Sequence, residues 1–486
     1  MIDREEILSQ LEKCVNKSRW GSACAGRTSS RTRAMILGDE VYDTFKGSSF
    51  GWFDNRLFCF NGQIYEECDA DLLKWCLVEL MRRVSVDAGV RSYYTIILDR
   101  ALSCVKVENE LRPNFGIHAF INGVVDFSDG KLRDFSPEWP VIFQHNYVYD
   151  PEADCPTWKA FLKQVLPERT SRITLQMFLG LVTMDRSKLK RPVENCLALY
   201  GNSSNGRGVV NDVIRGVFGS ENISTLSMEK IFDDSDKGKV ARSALLGKAI
   251  NFSGDVSEST ILKHEDKFRM FVGGRDIEAR ILRGGTFTLS NVPWQIFNFN
   301  EIPSYDGHTV FSRFLYLLFN EVIPEDMQNP FISKELEDEY PGIMNWVLKG
   351  ARYTRIHGYK FPKSDNAVRE KLICIGEQNS MLAWMMLLKL SVTPRVPGEE
   401  YRWVMSNQLY GHYAAFCDEN GFQKFTIVAF GSRLRGFGFK GQYKMRTNKG
   451  NKYKVYGFSQ DVEKGDPINL EDWKLHADEE FNDIPE

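Results

Sequence analysis

The chain has 486 residues, 43% hydrophobic and 26% charged, with a formal net charge of −3. It is too long for a single core and points to about two to four globular domains. The near-neutral balance excludes nucleic-acid binding by overall charge, so any such case has to be local. The ten cysteines include no C-x-x-C pair and sit among apolar residues, as Cys76 and Cys196 do. This reads as reduced, mostly buried thiols in a cytosolic protein. The histidines do not group with them, which argues against zinc. No signal peptide opens the chain and no apolar run reaches spanning length, so the expectation is a cytoplasmic protein (host cytoplasm if viral) with no membrane partner.

In chain order, residues 1–44 read as a helical start followed by a small polar segment at 18–33. Phe45–Glu67 suits hairpins around Asp54-Asn55 and Asn61-Gly62. Asp69–Val84 is an amphipathic helix with Leu72, Leu73, Cys76, Leu77, Leu80 and Met81 on one side. Residues 117–135 read as short strands broken at Asn122-Gly123 and Asp129-Gly130, and 155–184 as two helices. From Val193 to about Phe319 strands and helices alternate, as in an α/β nucleotide-binding core. Its strands are expected at Cys196–Tyr200, Lys248–Ser253, Trp294–Phe299 and Phe314–Phe319. Residues 321–395 read as mostly helical, Glu399–Asn420 as a helix pair, and Phe422–Phe458 as a helix with two basic strands, much like a winged helix. From Asp461 ten acidic residues stand against Lys464 and Lys474, an end expected to be flexible and solubilising, or else to dock a replication partner. The domains implied are 1–150 mixed α/β, 151–190 a helical collar, 191–325 the core, 326–398 a helical linker, 399–460 the winged end and 461–486 the tail.

The chain is organised around Val193–Val217, an apolar strand, a Gly/Ser/Asn turn and a helix beginning near Val209. The turn, Gly201, Asn202, Ser203, Ser204, Asn205, Gly206, Arg207, Gly208, has the Gly-x-x-x-x-Gly-basic frame of a phosphate loop. Backbone N–H groups and a helix N-terminus then converge on one spot, which suits a polyphosphate. Arg207 and Gly208 stand where Lys and Ser or Thr are the rule. Arg207 keeps the charge with a bulkier fork, and Gly208 offers no hydroxyl to magnesium. The alternative is a polar loop that binds nothing.

The ordered set of stretches resembles the phage/plasmid primase–helicase family, the poxvirus-type branch of the superfamily 3 helicases. FNGQIYEECDADLL and GVVDFSDGKLRDFSPEWP…YDPEADCPTWKAFL resemble its N-terminal region, and LALYGNSSNGRG its phosphate loop. GKAINFSGDVSES resembles its acidic strand, PWQIFNFNEIP its Asn-Glu-x-Pro motif, and VFSRFLYLLF its Phe-Trp-Arg-Arg-apolar segment. PGIMNWVLKGA and the winged end complete the set. The primase half of longer members is not evident.

The resemblance implies an AAA+-like ATPase core using ATP and Mg²⁺. Asp255, after a buried strand, is then the magnesium or water contact, with Glu258 beside it where the family often has two adjacent acids. Asn300 resembles the sensor that bonds the terminal phosphate or attacking water; a turn asparagine before Pro303 is the alternative. Arg313 resembles the arginine that reaches a neighbouring subunit's nucleotide, with Phe314 where a second arginine is common; an ordinary surface ion pair is the alternative. Between the acidic strand and the sensor strand, at Phe268–Leu289, the family places a channel hairpin, here carrying Arg275, Arg280 and Arg283; a solvated charged face is the alternative. The segment 421–458 holds nine basic residues and no acid. Arg433, Arg435, Lys440, Lys444, Arg446, Lys449 and Lys452 among them are candidate DNA contacts, interleaved with Phe437, Tyr443 and Tyr453. The alternative is a basic edge hairpin that resists aggregation. The function implied is a homo-hexameric DNA helicase translocating on single-stranded DNA, duplex meeting the winged end, with a separate primase or polymerase as partner. The rival is a nucleotide-binding ring or initiation scaffold without hydrolysis, favoured by Arg207, Gly208, the missing second acid and Phe314. A sequence-specific regulator is a third reading.

Overall fold

The computed structural model describes residues 4–53, 56–111, 116–201, 205–254, 261, 263–282, 285–290, 292–299, 311–321, 323–388, 390, 402–439, 441–445, 452–458, 470, 481 and 484.

The first hundred residues form their own apolar cluster, from Ile7 to Val105. Helices Arg4–Cys14, Lys17–Cys24 and Ser30–Phe45 open it. The polar stretch at 18–33 is therefore partly helical. Asn16 caps it by accepting from the Arg19 amide at 3.1 Å, and Trp20 and Ala23 turn inward. The expected hairpins are the antiparallel strands Phe50–Phe53, Arg56–Phe60 and Tyr65–Cys68. The amphipathic helix is Ala70–Arg83, capped by Asp69 and burying the six residues expected. Helix Tyr94–Val107, whose periodicity is weaker, closes the layer against Ser30–Phe45.

Strands Ile117–Phe120, Gly123–Asp126 and Lys131–Arg133 turn at Asn122-Gly123 and Asp129-Gly130. Gly123 and Gly130 both have positive φ, which only glycine adopts without strain. Phe120, Val125, Tyr147 and Tyr149 share one buried cluster with Trp158, Phe178, Leu197 and Ile214. Residues 117–149 thus pack with the α/β core.

That core is a five-stranded parallel sheet. Its spatial order is Phe314–Leu318, Cys196–Tyr200, Trp294–Phe299, Ile250–Ser253 and Ile223–Ser224. Strands CLALY and WQIFNF are near-continuous apolar runs because both faces are covered. Helices Pro156–Val165, Arg169–Val182, Arg207–Phe218 and Tyr340–Ile356 contribute the cluster on one face. Residues 228–232, 268–272 and the hairpin Ile277–Arg280/Thr286–Leu289 contribute the other. Helices Arg169–Val182 and Tyr340–Ile356 touch backbone to backbone, since a Cβ on Gly180 would overlap Ala351 and one on Gly350 would overlap Gln176.

After helix Asp365–Leu387 come strand Arg402–Met405, helices Ser406–Glu419 and Ile427–Gly436, and strands Gly441–Met445 and Lys452–Phe458. The expected helix pair at 399–420 is a strand and one helix: RWVM pairs with Lys452–Phe458, which leaves it no helical face to bury. In the tail, Phe481 and Ile484 are buried against Ile173 and Met177. Arg169 donates to both of their carbonyls, and the His357 ring stacks on Phe481 at 4.7 Å. Leu470 is buried beside Asn420, which accepts from its amide at 2.8 Å. Leu470, Phe481 and Ile484 are thus packed against the rest of the chain, and the other residues of the expected tail, 461–486, lie outside the described residues. Among the described residues no helix is long and apolar enough to cross a membrane.

Candidate nucleotide site

The loop after Tyr200 sits at the C-terminal edge of the parallel sheet, where α/β cores place their ligands. Gly201 has φ +151 and its amide donates to the Phe299 carbonyl at 3.2 Å. A Cβ there would overlap Asn205 and Phe319. Gly206, with φ +82, is the N-cap, so the helix starts at Arg207, two residues earlier than its apolar pattern suggests. Its Cβ would overlap Val165.

Asn205 is buried and spent on the scaffold. Its side-chain amide donates to the Phe319 carbonyl at 2.7 Å, and its oxygen accepts from the Arg207 amide at 3.2 Å. It stitches the loop to the end of the edge strand. Arg207 reaches the neighbouring strand, donating through Nη1 to the Phe299 carbonyl at 2.6 Å. One arm of the fork is thus held by backbone, unlike a free-ranging lysine. Gly208 has open space where a side chain would begin. The missing hydroxyl is not a matter of room.

A cavity of about 690 Å³ opens onto this loop, within the range of small-molecule sites. Its walls include Phe161 and Gln164 of the preceding helix, Arg207, Asn211 and Asn298. No carboxylate lies among its described lining residues, so Arg207 sets the local sign. Asn211 Nδ2 donates to Asn298 Oδ1 at 3.0 Å, while the buried Asn211 Oδ1 has no hydrogen-bond partner. Asn211 lines the cavity, and a buried acceptor left without a donor is uncommon in a folded interior. Asn211 and Asn298 were not singled out from sequence. The available signal was Arg207 and Asn211, one turn apart on a helix whose apolar face is Val210, Val213, Ile214 and Val217.

Asn202, Ser203, Ser204, Asp255, Glu258, Arg283, Asn300, Lys440, Arg446 and Lys449 lie outside the described residues. Their flanks are described. Ser253 is in register with Phe297, and Phe299 with Tyr200, so the two strands leading to Asp255 and Asn300 end beside the loop. A phosphate group fits the glycine cradle and the Arg207 charge. For a magnesium ion the described residues offer neither a hydroxyl at 208 nor a carboxylate.

Arg313 lies at the opposite, N-terminal edge, where Phe314 pairs with Cys196. It forms an ion pair with Glu194 at 2.5 Å and does not reach its own loop. Arg275 precedes the hairpin, and Arg280 pairs with Asp236 at 2.8 Å. Arg433 lies over the Phe425 ring at 4.1 Å, with Arg435 in the same last helical turn. Lys444 and Lys452 belong to the backbone of the two paired strands Gly441–Met445 and Lys452–Phe458.

The far end of the loop helix is gripped as firmly as its start. The Val217 carbonyl accepts from Tyr147 Oη at 2.8 Å and from His145 Nδ1 at 2.9 Å. With the proton on Nδ1, His145 Nε2 must accept from His118 Nδ1, 2.9 Å away. Burial lowers the His145 pKa from 6.5 to about 4, despite the carbonyl bond that favours the cation. His145 is therefore neutral at neutral pH.

Residues 93–167 match the protein-family model described as D5 N terminal like. The D5 N-like segment runs from helix Tyr94–Val107 through the His118–His145 pair to helix Pro156–Val165, so it supplies both the grip on Val217 and the Phe161 wall of the cavity. Of the two stretches read as an N-terminal region, the one from Gly123 lies inside it and FNGQIYEECDADLL, at 60–73, before it. No curated protein compared with the chain matches it. Structures similar to the chain include three of the NrS-1 C-terminal region, at 10%, 11% and 12% identity and TM-scores of 0.45, 0.48 and 0.41. Each alignment covers 86% of this chain and 98% of the other.

Proposed function

We propose that the chain is an ATP-dependent DNA helicase of phage or mobile-element replication, with a P-loop, AAA+-like core and a winged-helix end. The observation that carries the reading is convergence. Loop residues Asn205 to Gly208 and Asn298 of strand Trp294–Phe299 line one cavity at the C-terminal edge of a parallel sheet, in which strand Ile250–Ser253 runs beside Trp294–Phe299. The D5 N-like segment beside it supports the primase–helicase assignment.

In this mechanism the first-turn amides and Arg207 would hold the phosphates, Asp255 would hold the metal or polarise water, and Asn300 would orient that water. Magnesium, when bound, neutralises charge on the phosphates. Arg313, remote from its own loop, serves a neighbour's nucleotide across a homo-hexameric ring. The hairpin Ile277–Leu289 and the basic strands of the winged end meet DNA through its backbone. DNA-stimulated ATP turnover that falls by orders of magnitude in Asp255→Ala supports the motor; equal low turnover in both proteins rejects it.

A second reading has its own observation. Gly208 carries no hydroxyl and Arg207 is tethered to a carbonyl, which favours binding without turnover, in a ring or scaffold that uses nucleotide for assembly. Tight ATP binding with no turnover, DNA present or absent, would select it.

A further inference from the structure

A second cavity, of about 520 Å³, lies on the other flank of the core. It is bounded by the sheet's edge strand Phe314–Leu318, the segment 359–364 and helix Asp365–Leu387, and shares no lining residue with the loop cavity. Its composition departs from that of the chain as a whole. Arg191, Lys360, Lys363 and Lys371 line it, and no carboxylate stands among its described lining residues, in a protein whose net charge is −3. Its walls are aromatic as well, including Phe314, Tyr316 and Phe361.

Arg191 is fixed in place by a 2.5 Å hydrogen bond to the Tyr359 carbonyl. Lys371 is half-buried and makes no hydrogen bond or ion pair among the described residues. Burial lowers its pKa, the response of an ammonium that has lost water without gaining an anion. Arg191 and Lys371 put two positive charges on this wall, and a bound anion would offset the cost of holding the Lys371 ammonium away from water. Aromatic walls add a face on which a planar ring stacks, and the volume exceeds what an inorganic anion needs.

We propose that this cavity binds a nucleoside phosphate, either a free nucleotide or one nucleotide of a single strand, with the cations on its phosphate and the aromatic rings on its base. Arg313, between the lining residues Ser312 and Phe314, places the cavity on the face away from the glycine loop. The two sites are therefore separable by mutation.

The test counts ATP bound per chain by equilibrium dialysis and measures oligothymidylate affinity by fluorescence anisotropy, both on the full chain. A free-nucleotide site gives two ATP per chain, falling to one in Lys371→Met and in Lys363→Glu, with the Lys371-dependent ATP retained in Arg207→Ala. A strand site leaves the ATP count unchanged but weakens oligothymidylate binding at least tenfold in both lysine variants, and lowers the salt slope by about 0.7 for each phosphate no longer neutralised. Lys371→Met keeps the side-chain length and removes a desolvated charge, so its melting temperature should match or exceed that of the parent chain. If both lysine variants leave the ATP count and the oligothymidylate affinity unchanged, the proposal is overturned. In that case a single ATP abolished by Arg207→Ala would leave the loop reading standing.

Discussion

Arg207 and Phe299 are joined across the mouth of the glycine loop, guanidinium to backbone carbonyl, at 2.6 Å. The bond ties the first residue of one helix to the last residue of a central strand. Arg207→Ala should lower the unfolding free energy by about 1.5–3 kcal/mol, the usual range for a hydrogen bond from a charged group. Denaturant unfolding without nucleotide isolates this effect from any loss of phosphate binding, and an unchanged midpoint would show the bond to be idle.

The two glycines around Arg207 should behave in opposite ways. Gly206 holds a left-handed φ of +82 against Val165. Gly206→Ala is expected to cost about 2 kcal/mol or more, from the αL penalty plus overlap. Gly208 faces open space inside a helix, so Gly208→Ser should be neutral or slightly stabilising. If the loop binds ATP with magnesium, that hydroxyl should also make nucleotide affinity more dependent on the metal. Melting curves and binding titrations with and without magnesium read both.

Stability should fall with acid in a window set by His145. The unfolded imidazole titrates near 6.5 and the folded one near 4. Between those values the unfolded chain binds more protons, so this contribution is complete above pH 6.5 and is lost as pH drops toward 4, by about 3 kcal/mol at the limit. His145→Phe should flatten the dependence of melting temperature on pH over that window by about one proton. An equally steep profile in the variant would assign the acid sensitivity elsewhere.

The tail anchor predicts a local opening. Phe481→Asp puts a charge among Ile173, Met177 and the His357 ring, which an apolar site cannot solvate. Carboxypeptidase should then shorten the variant past residue 481 much faster than the parent chain, with the global melting temperature nearly unchanged. Equal digestion rates would mean that the anchor adds nothing to protection.

Where a single period governs burial, the sequence was readable. Leu72 to Met81 recur at helical spacing and are buried as a set. CLALY and WQIFNF have no alternation because neither face meets solvent. The glycine loop was visible because its backbone demands residues without Cβ. Legibility failed where tertiary pairing decided the outcome. RWVM is too short to declare itself, and only Lys452–Phe458 makes it a strand. Lys17–Cys24 needed the Asn16 cap and the burial of Trp20. In the site, Asn205 has the composition of a ligand-binding residue but is consumed by backbone groups. Asn298 enters the wall only through the folded sheet. Phe481 and Ile484 were hidden by ten surrounding acids, since average composition says little about two well-spaced apolar anchors.

Ten residues of helix, a rod of about 15 Å, separate the loop from the Val217 carbonyl that His145 and Tyr147 share. A rod clamped at both ends passes on displacement instead of absorbing it. Any tilt imposed where Arg207 sits must be answered by the histidine pair, and so by the D5 N-like segment that carries it. That segment is thereby wired to the loop as a lever is to its fulcrum, and loosening either clamp should uncouple them.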